Sequence, residues 1–311
     1  MTIIRIHHGD AMPAALRGSV AALGNFDGFH LGHQAVAGAA ITKAKAEGRP
    51  AIIATFDPHP VRHFAPETPP FRLTTLDQRQ RLFAAAGADA MLVFDFGADL
   101  AATSAEDFIA SLLSGHLGIK TVVTGEDFTF GAKRGGNVDV LREVGAVHGL
   151  DNIAIGPVQA GREIISSSRV REALQSGDPA GAAALLTRPF AIEGKVQHGD
   201  KNGRLLGYPT ANIDMGHYLR PRYGIYAVKV RLPDGRVLSG AANLGIRPSF
   251  DPPKELLEAY IFDFNEDLYD QTIEVEFHAF LRGEEKFDNL EALKAQMADD
   301  CRKARAFLEA K

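Results

Sequence analysis

The chain contains very little cysteine and no excess of positive charge. Cys301 is its single cysteine among 311 residues, which excludes an intrachain disulfide and a multi-cysteine metal site. The net charge is −5 and the isoelectric point is about 6.1, which argues against a protein that binds nucleic acid through overall charge. Any phosphate site must therefore come from local geometry.

Long apolar runs are also absent. No uninterrupted apolar stretch approaches the ~20 residues of a membrane span, and residues 1–17 lack the apolar core of a signal peptide. We therefore expect a cytoplasmic protein with no membrane and no nucleic-acid partner. The sequence leaves open whether the chain forms a homo-oligomer. The composition, 45% hydrophobic and 23% charged, is that of an ordinary globular protein with room for two cores.

Strand-like and helix-like segments alternate through the first half. The predicted strands are Ser19–Leu23, Ala51–Phe56, Ala90–Phe94, Thr121–Thr124 and Ile153–Val158. The predicted helices are Leu31–Glu47, Leu76–Ala86, Ala105–Leu117 and Val138–His148, with Thr75 and Ser104 as N-caps. This alternation predicts an α/β domain in which helices cover both faces of a parallel sheet. Ligands of such domains bind beyond the carboxyl ends of the strands.

The pattern changes after Arg188-Pro189, where strands follow one another without helices. They are Phe190–Gln197, Ile225–Leu232, Val237–Asn243, Leu257–Phe264 and Thr272–Leu281. Closely spaced strands with a hairpin signal at residues 233–235 predict an antiparallel sheet or a small barrel. The amphipathic tail, Leu290–Leu308, predicts a helix packed on that sheet. We place the domain boundary between residues 186 and 187, giving domains 1–186 and 187–311.

The segment GNFDGFHLGH, residues 24–33, joins the first predicted strand to the first predicted helix. A strand, a glycine-containing turn and a helix present backbone N–H groups to a phosphate. Gly24, Asn25, Asp27 and Gly28 are therefore candidate nucleotide-binding residues. Asp27 is a candidate to orient a metal or an imidazole. The alternative for Asp27 is a turn residue that forms an Asx bond.

His30 and His33 are one helical turn apart in this segment, so both can face the same ligand. Imidazoles can bind phosphate oxygens and can offset the charge that builds up on a leaving pyrophosphate. The alternative is that one or both are solvated helix residues or metal ligands.

Two later segments of the first half carry further candidates. In ISSSRVR, Ser167 and Ser168 begin a predicted helix and Arg171 follows one turn later, which is a suitable phosphate clamp. The alternative is a serine N-cap with surface arginines. In GEDFTFG, Phe128 can stack on a flat ring, or the loop is pinned by core phenylalanines.

Three groups of side chains should meet at one edge of the predicted sheet. His30 follows the first strand, Asp57 follows the second, and the loop with Asp127 follows the fourth. The carboxyl ends of parallel strands share an edge, so these groups should lie close together.

The second half carries a polar segment of residues 194–204, followed by GYPTAN. Gly199 and Lys201 belong to a loop that can wrap phosphates, and Gly207 opens the next turn. Thr210 and Asn212 alternate, so both project from one face of an extended segment and offer the oxygen ligands that Mg²⁺ accepts. The alternative is a long polar turn.

Glu258 lies in an otherwise apolar predicted strand. A carboxylate in such a strand is a candidate general base. The alternative is a strand residue that faces outward to solvent, which is the commoner case.

Seven segments in this order resemble the bacterial bifunctional riboflavin kinase/FAD synthetase family. They run from residue 24 to residue 287 and cover both domains. The segments are GNFDGFHLGH, TFDPHP, GEDFTFG, ISSSRVREAL, GYPTAN, NLGIRPSF and FDFNEDLYDQTIEVEF with LRGEEKF. The resemblance implies an N-terminal FMN adenylyltransferase domain of the nucleotidyltransferase α/β class with a Rossmann-like sheet. It also implies a C-terminal riboflavin kinase built on a six-stranded antiparallel barrel.

The resemblance also implies roles for individual residues. In the first domain, His30 and His33 bind and polarise the ATP phosphates, and Ser167, Ser168 and Arg171 hold the triphosphate. Asp57 and the loop with Asp127 and Phe128 belong to the flavin and nucleotide pocket. In the second domain, Thr210 and Asn212 position Mg²⁺ and ATP, and Glu258 is the catalytic base. The implied substrates and products are ATP, riboflavin, FMN and FAD.

The chain departs from the family pattern at three positions. Asp127 stands where some relatives carry asparagine, Asp270 follows DLY where many carry glycine, and Thr187 replaces a common glycine at the domain junction. Two other functions remain open on the sequence. One is a single-activity adenylyltransferase whose second domain binds flavin or regulates, and the other is a non-enzymatic flavin sensor.

Overall fold

The computed structural model describes residues 3–161, 163–198, 207–247 and 254–310. They form two compact units, one of Met1–Pro69 with Thr75–Ser166 and the other of Pro70–Thr74 with Ser167–Lys311. The short segment 70–74 therefore belongs to the second unit, although the chain on both sides of it belongs to the first. The domain boundary expected between residues 186 and 187 stays a prediction.

The first unit is built on a parallel sheet of six strands in the order β1-β4-β3-β2-β5-β6. The strands are β1 Ile4–His7, β2 Val20–Leu23, β3 Ala51–Asp57, β4 Ala90–Asp95, β5 Thr121–Gly125 and β6 Asp151–Ile155. Strand β2 lies between β3 and β5. The segments that follow these three strands therefore begin side by side at one edge of the sheet.

Helices cover both faces of this sheet because buried residues alternate along its strands. Ala22 and Ile53 face the helix that follows β2, whereas Ala21 and Ile52 face the opposite layer. The helices are α1 Leu31–Glu47, α2 Pro60–Phe64, α3 Leu76–Ala86, α4 Ala98–Ala102, α5 Ala105–Asp107, the π-helix Phe108–His116 and α6 Val138–Val147. A two-stranded sheet follows, made of β7 Gln159–Ala160 and β8 Glu163–Ile164.

The second unit contains helices α7 Ser167–Ser176 and α8 Pro179–Leu186 and a closed antiparallel barrel. The strand order around the barrel is β10-β13-β12-β11-β14-β9. The strands are β9 Phe190–Gln197, β10 Ala211–Asp214, β11 Gly224–Arg231, β12 Val237–Arg247, β13 Lys254–Ile261 and β14 Thr272–Arg282. Closure pairs every strand with two neighbours, so the barrel has no open edge.

The terminal helix, α9 Leu290–Glu309, packs on the outside of the barrel. Ala304 and Leu308 contact the strand residues Ala227 and Ala241. A bidentate ion pair anchors the helix, since Arg282 at the end of β14 donates to the buried carboxylate of Asp300 at 2.7 and 3.0 Å. Such planar pairs are the more rigid kind of ion pair.

The predicted elements agree with the structure in type and differ at some ends. Helices α1 and α3 begin and end where the sequence predicts, because Gly48 and Gly87 terminate them in the left-handed conformation. The predicted helix Ala105–Leu117 is one helical turn followed by a π-helix. The sequence missed β1 and did not assign β10, because these four-residue strands contain polar residues, whereas the equally short β2 is a continuous apolar run. The strand predicted over 153–158 is β6, which begins two residues earlier.

Two of the three departures from the family pattern have left-handed backbone. Thr187 has φ 62° and ends α8, and Asp270 has φ 64° in the turn before β14. The left-handed conformation costs about 1–2 kcal/mol for an L-residue and costs glycine almost nothing. Relatives with glycine at these positions avoid this cost.

We expect Thr187→Gly to raise the free energy of unfolding by about 0.5–1 kcal/mol. Relief of the left-handed strain outweighs the extra entropy that glycine gives the unfolded chain. Thr187→Asn should give a smaller gain, since asparagine tolerates this conformation and keeps a polar side chain. Urea unfolding of the three proteins measures the difference. A destabilised Thr187→Gly variant would show that the threonine side chain contributes more than its backbone strain costs.

The phenol of Tyr223 has its pKa raised to about 12, because burial disfavours the phenolate and because the hydroxyl donates to the carboxylate of Glu255. A raised pKa means that this tyrosine supports the fold fully below its ordinary pKa of about 10 and loses that contribution as pH rises towards 12. Alkaline unfolding of Tyr223→Phe should therefore depend less on pH over this range than wild type. Equal pH dependence of the two unfolding curves would contradict the prediction.

Candidate functional site

The turn after β2 has an unusual backbone. Phe26 has φ 49°, Gly28 has φ 85° and Phe29 has φ 46°, so two bulky residues adopt the left-handed conformation within four positions. Each such residue costs about 1–3 kcal/mol of strain. Favourable packing of neighbouring side chains must offset this backbone strain.

A cluster of phenylalanines supplies this packing. The rings of Phe26 and Phe29 are 1% and 4% exposed and pack edge-to-face on each other and on Phe83 of α3. Full burial of a phenylalanine contributes about 1.5–3 kcal/mol, which offsets the backbone strain. A Cβ at Gly24 would lie 3.3 Å from the Phe26 ring, so glycine lets the ring fold back on the strand end. The turn is therefore fixed by its own side chains.

His30 and His33 lie together on this turn. Their rings stack with centroids 3.6 Å apart, and His33 also packs edge-on against Phe26. His30 is the N-cap of α1, and its Nδ1 accepts the backbone N–H of His33 at 3.3 Å. An accepting Nδ1 places the ring proton on Nε2, which makes Nε2 a donor. Gly32 allows this arrangement, since a Cβ there would lie 3.1 Å from the His30 ring.

Asn25 and Asp27 belong to the same turn. Asp27 is 3% exposed. The side-chain Oδ1 of Asn25 is buried and accepts no hydrogen bond from any described residue. A buried acceptor of this kind normally has a hydrogen-bond partner. Because Asn25 lies at the start of the turn, a donor group of a bound ligand is a suitable partner.

Asp57 ends β3, next to this turn in the sheet. Its carboxylate lies 3.3 Å from Nη2 of Arg79, a helix residue that is 3% exposed. The sequence analysis missed Arg79. The sequence feature that could have identified Arg79 is its position four residues before Phe83, because this spacing places a charged side chain on the buried face of α3.

The loop after β5 completes the edge. Asp127 is exposed, and Phe128 is half-buried and stacks on the core residue Phe130 at 5.5 Å. Phe130 thus pins the loop in the core, and the stacking of Phe128 on a flat ring stays a prediction. A Cβ at Gly125 would lie 2.8 Å from the Asp127 carboxylate.

A second aromatic group lies near the ends of β3 and β4, and the sequence analysis missed it. The rings of His63, Phe64 and Phe96 contact one another edge-on, and Phe96 also contacts Phe56. Phe64 is 69% exposed. We call these four residues the aromatic edge. An exposed phenylalanine that belongs to an aromatic group is a stronger indication of a binding surface than a single apolar residue on the surface.

Ser167, Ser168 and Arg171 lie on the first turns of α7, which belongs to the second unit. Arg171 donates Nε to the carbonyl of Phe71 at 2.9 Å, and its guanidinium lies 5.3 Å from the centre of the Phe71 ring. The arginine therefore has a fixed orientation. Its expected role towards phosphate stays a prediction.

In the barrel, three polar side chains form a row across adjacent strands. Asn212 of β10 and Asn243 of β12 are both in register with Glu258 of β13. Registered partners in antiparallel strands point to the same side, so the three lie on one face. Their neighbours Leu257 and Leu244 are fully buried inside the barrel, which places the row on its outer surface.

Contacts within this row orient the amides. Asn243 donates Nδ2 towards Oε2 of Glu258 at 3.5 Å, and its buried Oδ1 has no partner among the described residues. Asn212 donates Nδ2 to the Thr210 carbonyl at 3.4 Å. The sequence analysis quoted Asn243 within NLGIRPSF but assigned it no role, because its proximity to Glu258 follows only from strand register.

The other predicted residues of this unit precede β10 in the chain. Gly207 is exposed with φ 88°, and Thr210 is half-buried just before β10. Gly199 and Lys201 lie outside the described residues. Among the described residues, no group of three or more His, Cys, Asp or Glu side chains is arranged to hold a metal ion. None of the helices in the described part of the chain is both long enough and apolar enough to cross a membrane.

Family models match both parts of the chain. A model of FAD synthetase matches residues 12–169, and a model of riboflavin kinase matches residues 186–308. The chain is 38% identical over 308 residues to the bifunctional riboflavin kinase/FMN adenylyltransferase of Escherichia coli K12, covering 99% of this chain and 98% of that protein. It is 40% identical over 291 residues to the protein of the same name from Pseudomonas fluorescens, covering 93% of each.

The fold matches a solved structure over nearly the whole chain. A crystal structure described as a macrolide-efflux protein from Streptococcus pneumoniae superposes with a TM-score of 0.84 at 30% identity, covering 96% of this chain and 97% of that one. The chain belongs to the bifunctional riboflavin kinase/FMN adenylyltransferase family.

Proposed function

We propose that this chain phosphorylates riboflavin to FMN with ATP in its second unit and adenylylates FMN to FAD, with release of pyrophosphate, in its first. The observation that carries the proposal is the presence of a separate, chemically suitable site in each unit. Family membership supports both activities. The site residues themselves are proposed from their geometry.

In the second unit, Glu258 is the proposed general base. Its carboxylate would accept the proton of the riboflavin 5′-hydroxyl as that oxygen attacks the terminal phosphate of ATP. The half-buried position of Glu258 beside Asn243 supports this role, because the Asn243 amide N–H lies 3.5 Å from one carboxylate oxygen and can orient the carboxylate. Most of the rate in such reactions comes from positioning and charge neutralisation.

The donor set near Glu258 fits Mg²⁺. The side-chain amide nitrogen of Asn212 donates a hydrogen bond to the Thr210 carbonyl, so the amide oxygen of Asn212 points away from that carbonyl. The Thr210 side chain contributes a hydroxyl. These are neutral oxygen ligands, which Mg²⁺ accepts together with substrate phosphates and water. A bound Mg²⁺ would neutralise phosphate charge there.

In the first unit, the FMN phosphate is already anionic and needs no base to attack the α-phosphate of ATP. The chain has to stabilise the departing pyrophosphate. The N–H of His30 at Nε2 and the stacked His33 are suited to this task, and the cluster of Phe26, Phe29 and Phe83 holds them rigidly. Rigid donors are already oriented when the charge develops, which is what makes them effective.

We propose that the flavin ring binds to an exposed apolar surface of the first unit. We assign it to the aromatic edge, where Phe64 is 69% exposed and Phe96 lies against it. Aromatic rings stack on one another with a gain of about 0.5–1.5 kcal/mol beyond simple burial. Asp57, Asp127 and Phe128 stay proposed flavin contacts at the neighbouring strand ends.

His30→Ala should lower FAD formation from FMN by about 100-fold or more, because one preorganised donor to the leaving group is lost. FMN formation from riboflavin in the same protein should change less than twofold. Product chromatography after incubation with Mg·ATP measures both. His148→Ala, which removes an exposed histidine, is the matched control and should leave both rates unchanged. Equal loss of both activities in His30→Ala would rule out two separate sites.

Glu258→Gln should lower FMN formation by about 10²–10⁴-fold, because the amide keeps the shape of the carboxylate but cannot accept the proton. Added FMN should still be converted to FAD at the wild-type rate. Glu266→Gln is the control, since Glu266 is an exposed carboxylate of the same barrel that pairs with Arg236. Wild-type FMN formation in Glu258→Gln would remove Glu258 from the mechanism.

A further inference from the structure

Arg79 occupies an unusual position in the first unit. Its side chain points from α3 into the protein and is 3% exposed. Phe83 lies one turn further along the same face and packs on Phe26 and Phe29. The guanidinium therefore lies beneath the turn that carries His30.

The contacts of this guanidinium join two segments that are distant in sequence. Nη1 donates to the hydroxyl of Thr55 at 2.7 Å and to the carbonyl of Asn25 at 3.2 Å. Nη2 lies 3.3 Å from Oδ1 of Asp57. Thr55 in turn donates to the same Asn25 carbonyl at 2.6 Å. One side chain thus fixes the turn after β2 relative to the end of β3.

A buried charge in this place is not explained by stability alone. Removing a guanidinium from water carries a large free-energy cost, and apolar residues of similar volume often pack at least as stably. Phe83, four residues away, shows that an apolar residue packs well on this face. The charge is instead suited to holding a carbonyl, a hydroxyl and a carboxylate in one fixed arrangement.

We infer that Arg79 is a positioning residue for adenylyl transfer, acting through Asn25 and Asp57 rather than by touching the reacting atoms. The inference rests on the proposed function of the first unit. Arg79 holds the Asn25 carbonyl, and with it the start of the turn whose far end places the His30 ring. It also holds the Asp57 carboxylate at the adjoining strand end.

The inference makes a specific kinetic prediction. Through Asn25, Arg79 supports the interactions that stabilise the departing pyrophosphate, and these are made mainly in the transition state. Loss of the guanidinium should therefore lower kcat for FAD formation and leave the KM for ATP nearly unchanged, whereas the KM for FMN can rise because Arg79 also holds Asp57, a proposed flavin contact. A misplacement of about 1 Å at such a site can cost about 10²-fold in rate.

The test uses Arg79→Lys in the full-length chain, because lysine keeps the charge but cannot reach Thr55, Asn25 and Asp57 at once. We expect kcat for FAD formation to fall by about 10- to 100-fold, with the KM for ATP within about threefold of wild type. FMN formation in the second unit reports on folding of the rest of the same molecules and should stay at the wild-type rate.

Arg5→Lys is the matched control. Arg5 also ties α3 to a strand, since it donates to Asp77 at 2.5 Å and to Gln80 at 2.6 Å, but it contacts none of the groups that Arg79 holds. If anchoring of α3 were the whole role of Arg79, Arg5→Lys would lower kcat as much. That result would overturn the inference, and so would a change in KM with unchanged kcat.

Thr55→Val provides a second measurement in case Arg79→Lys folds poorly. It removes the hydroxyl that bridges Arg79 to the Asn25 carbonyl. The variant should lower kcat for FAD formation in the same way, and the loss in the double variant should be smaller than the product of the two single losses. Multiplicative losses would show that the two residues act independently.

The outcomes separate the inference from the proposed function. A wild-type chain that forms no FAD from FMN and Mg·ATP would overturn both. A wild-type chain that forms FAD, together with an Arg79→Lys variant of equal kcat, would overturn the role of Arg79 alone.

Discussion

The pairing of β2 between β3 and β5 is the constraint on which the first unit depends. Parallel strands in register end at one edge, so the turn after β2, the side chain of Asp57 and the loop after Gly125 begin next to each other. Nothing local to these three segments would bring them together, because they are about 30 and 70 residues apart in sequence. Their proximity comes from the hydrogen bonds of the sheet, and those strands are fully buried at their centres. The relative positions of the three segments at this edge are therefore held by the buried core of the sheet.

The two units hold their polar groups in different ways. In the first, His30 lies on an irregular turn whose backbone strain is offset by buried phenylalanine rings. In the second, Glu258 lies on a regular strand, and the amides beside it are placed by register alone. A turn can present several backbone N–H groups to an anion, which suits the phosphates of a nucleotide. A barrel wall presents side chains at fixed spacing, which suits a single base beside a few oxygen ligands.

The sequence predicted the fold class of both units and most of their elements, because helix caps and strand patterns are local signals. It predicted that His30, Asp57 and Asp127 would follow strands that share an edge, and the strand order confirms that arrangement. It missed Arg79, Asn243 and the aromatic edge, since their meaning lies in contacts between segments far apart in the chain. Strands β1 and β10 were missed for a different reason, since a four-residue strand that contains polar residues carries too little periodicity to be recognised, unlike the wholly apolar β2. The roles of the site residues stay predictions for mutagenesis.

Segment 70–74 gives the chain a discontinuous second unit. Its backbone pairs with residues 217–219, where Arg72 donates to the His217 carbonyl at 3.1 Å and accepts from Leu219 at 2.8 Å. Phe71 supports Arg171 in the same unit. A polypeptide that begins at residue 167 would lack these contacts. Arg171 would lose its hydrogen bond to the Phe71 carbonyl, and residues 217–219 would lose their backbone pairing with Arg72. A second unit expressed without residues 70–74 would thus lack part of its structure. Fusion proteins or circular permutants of this unit would have to include those five residues.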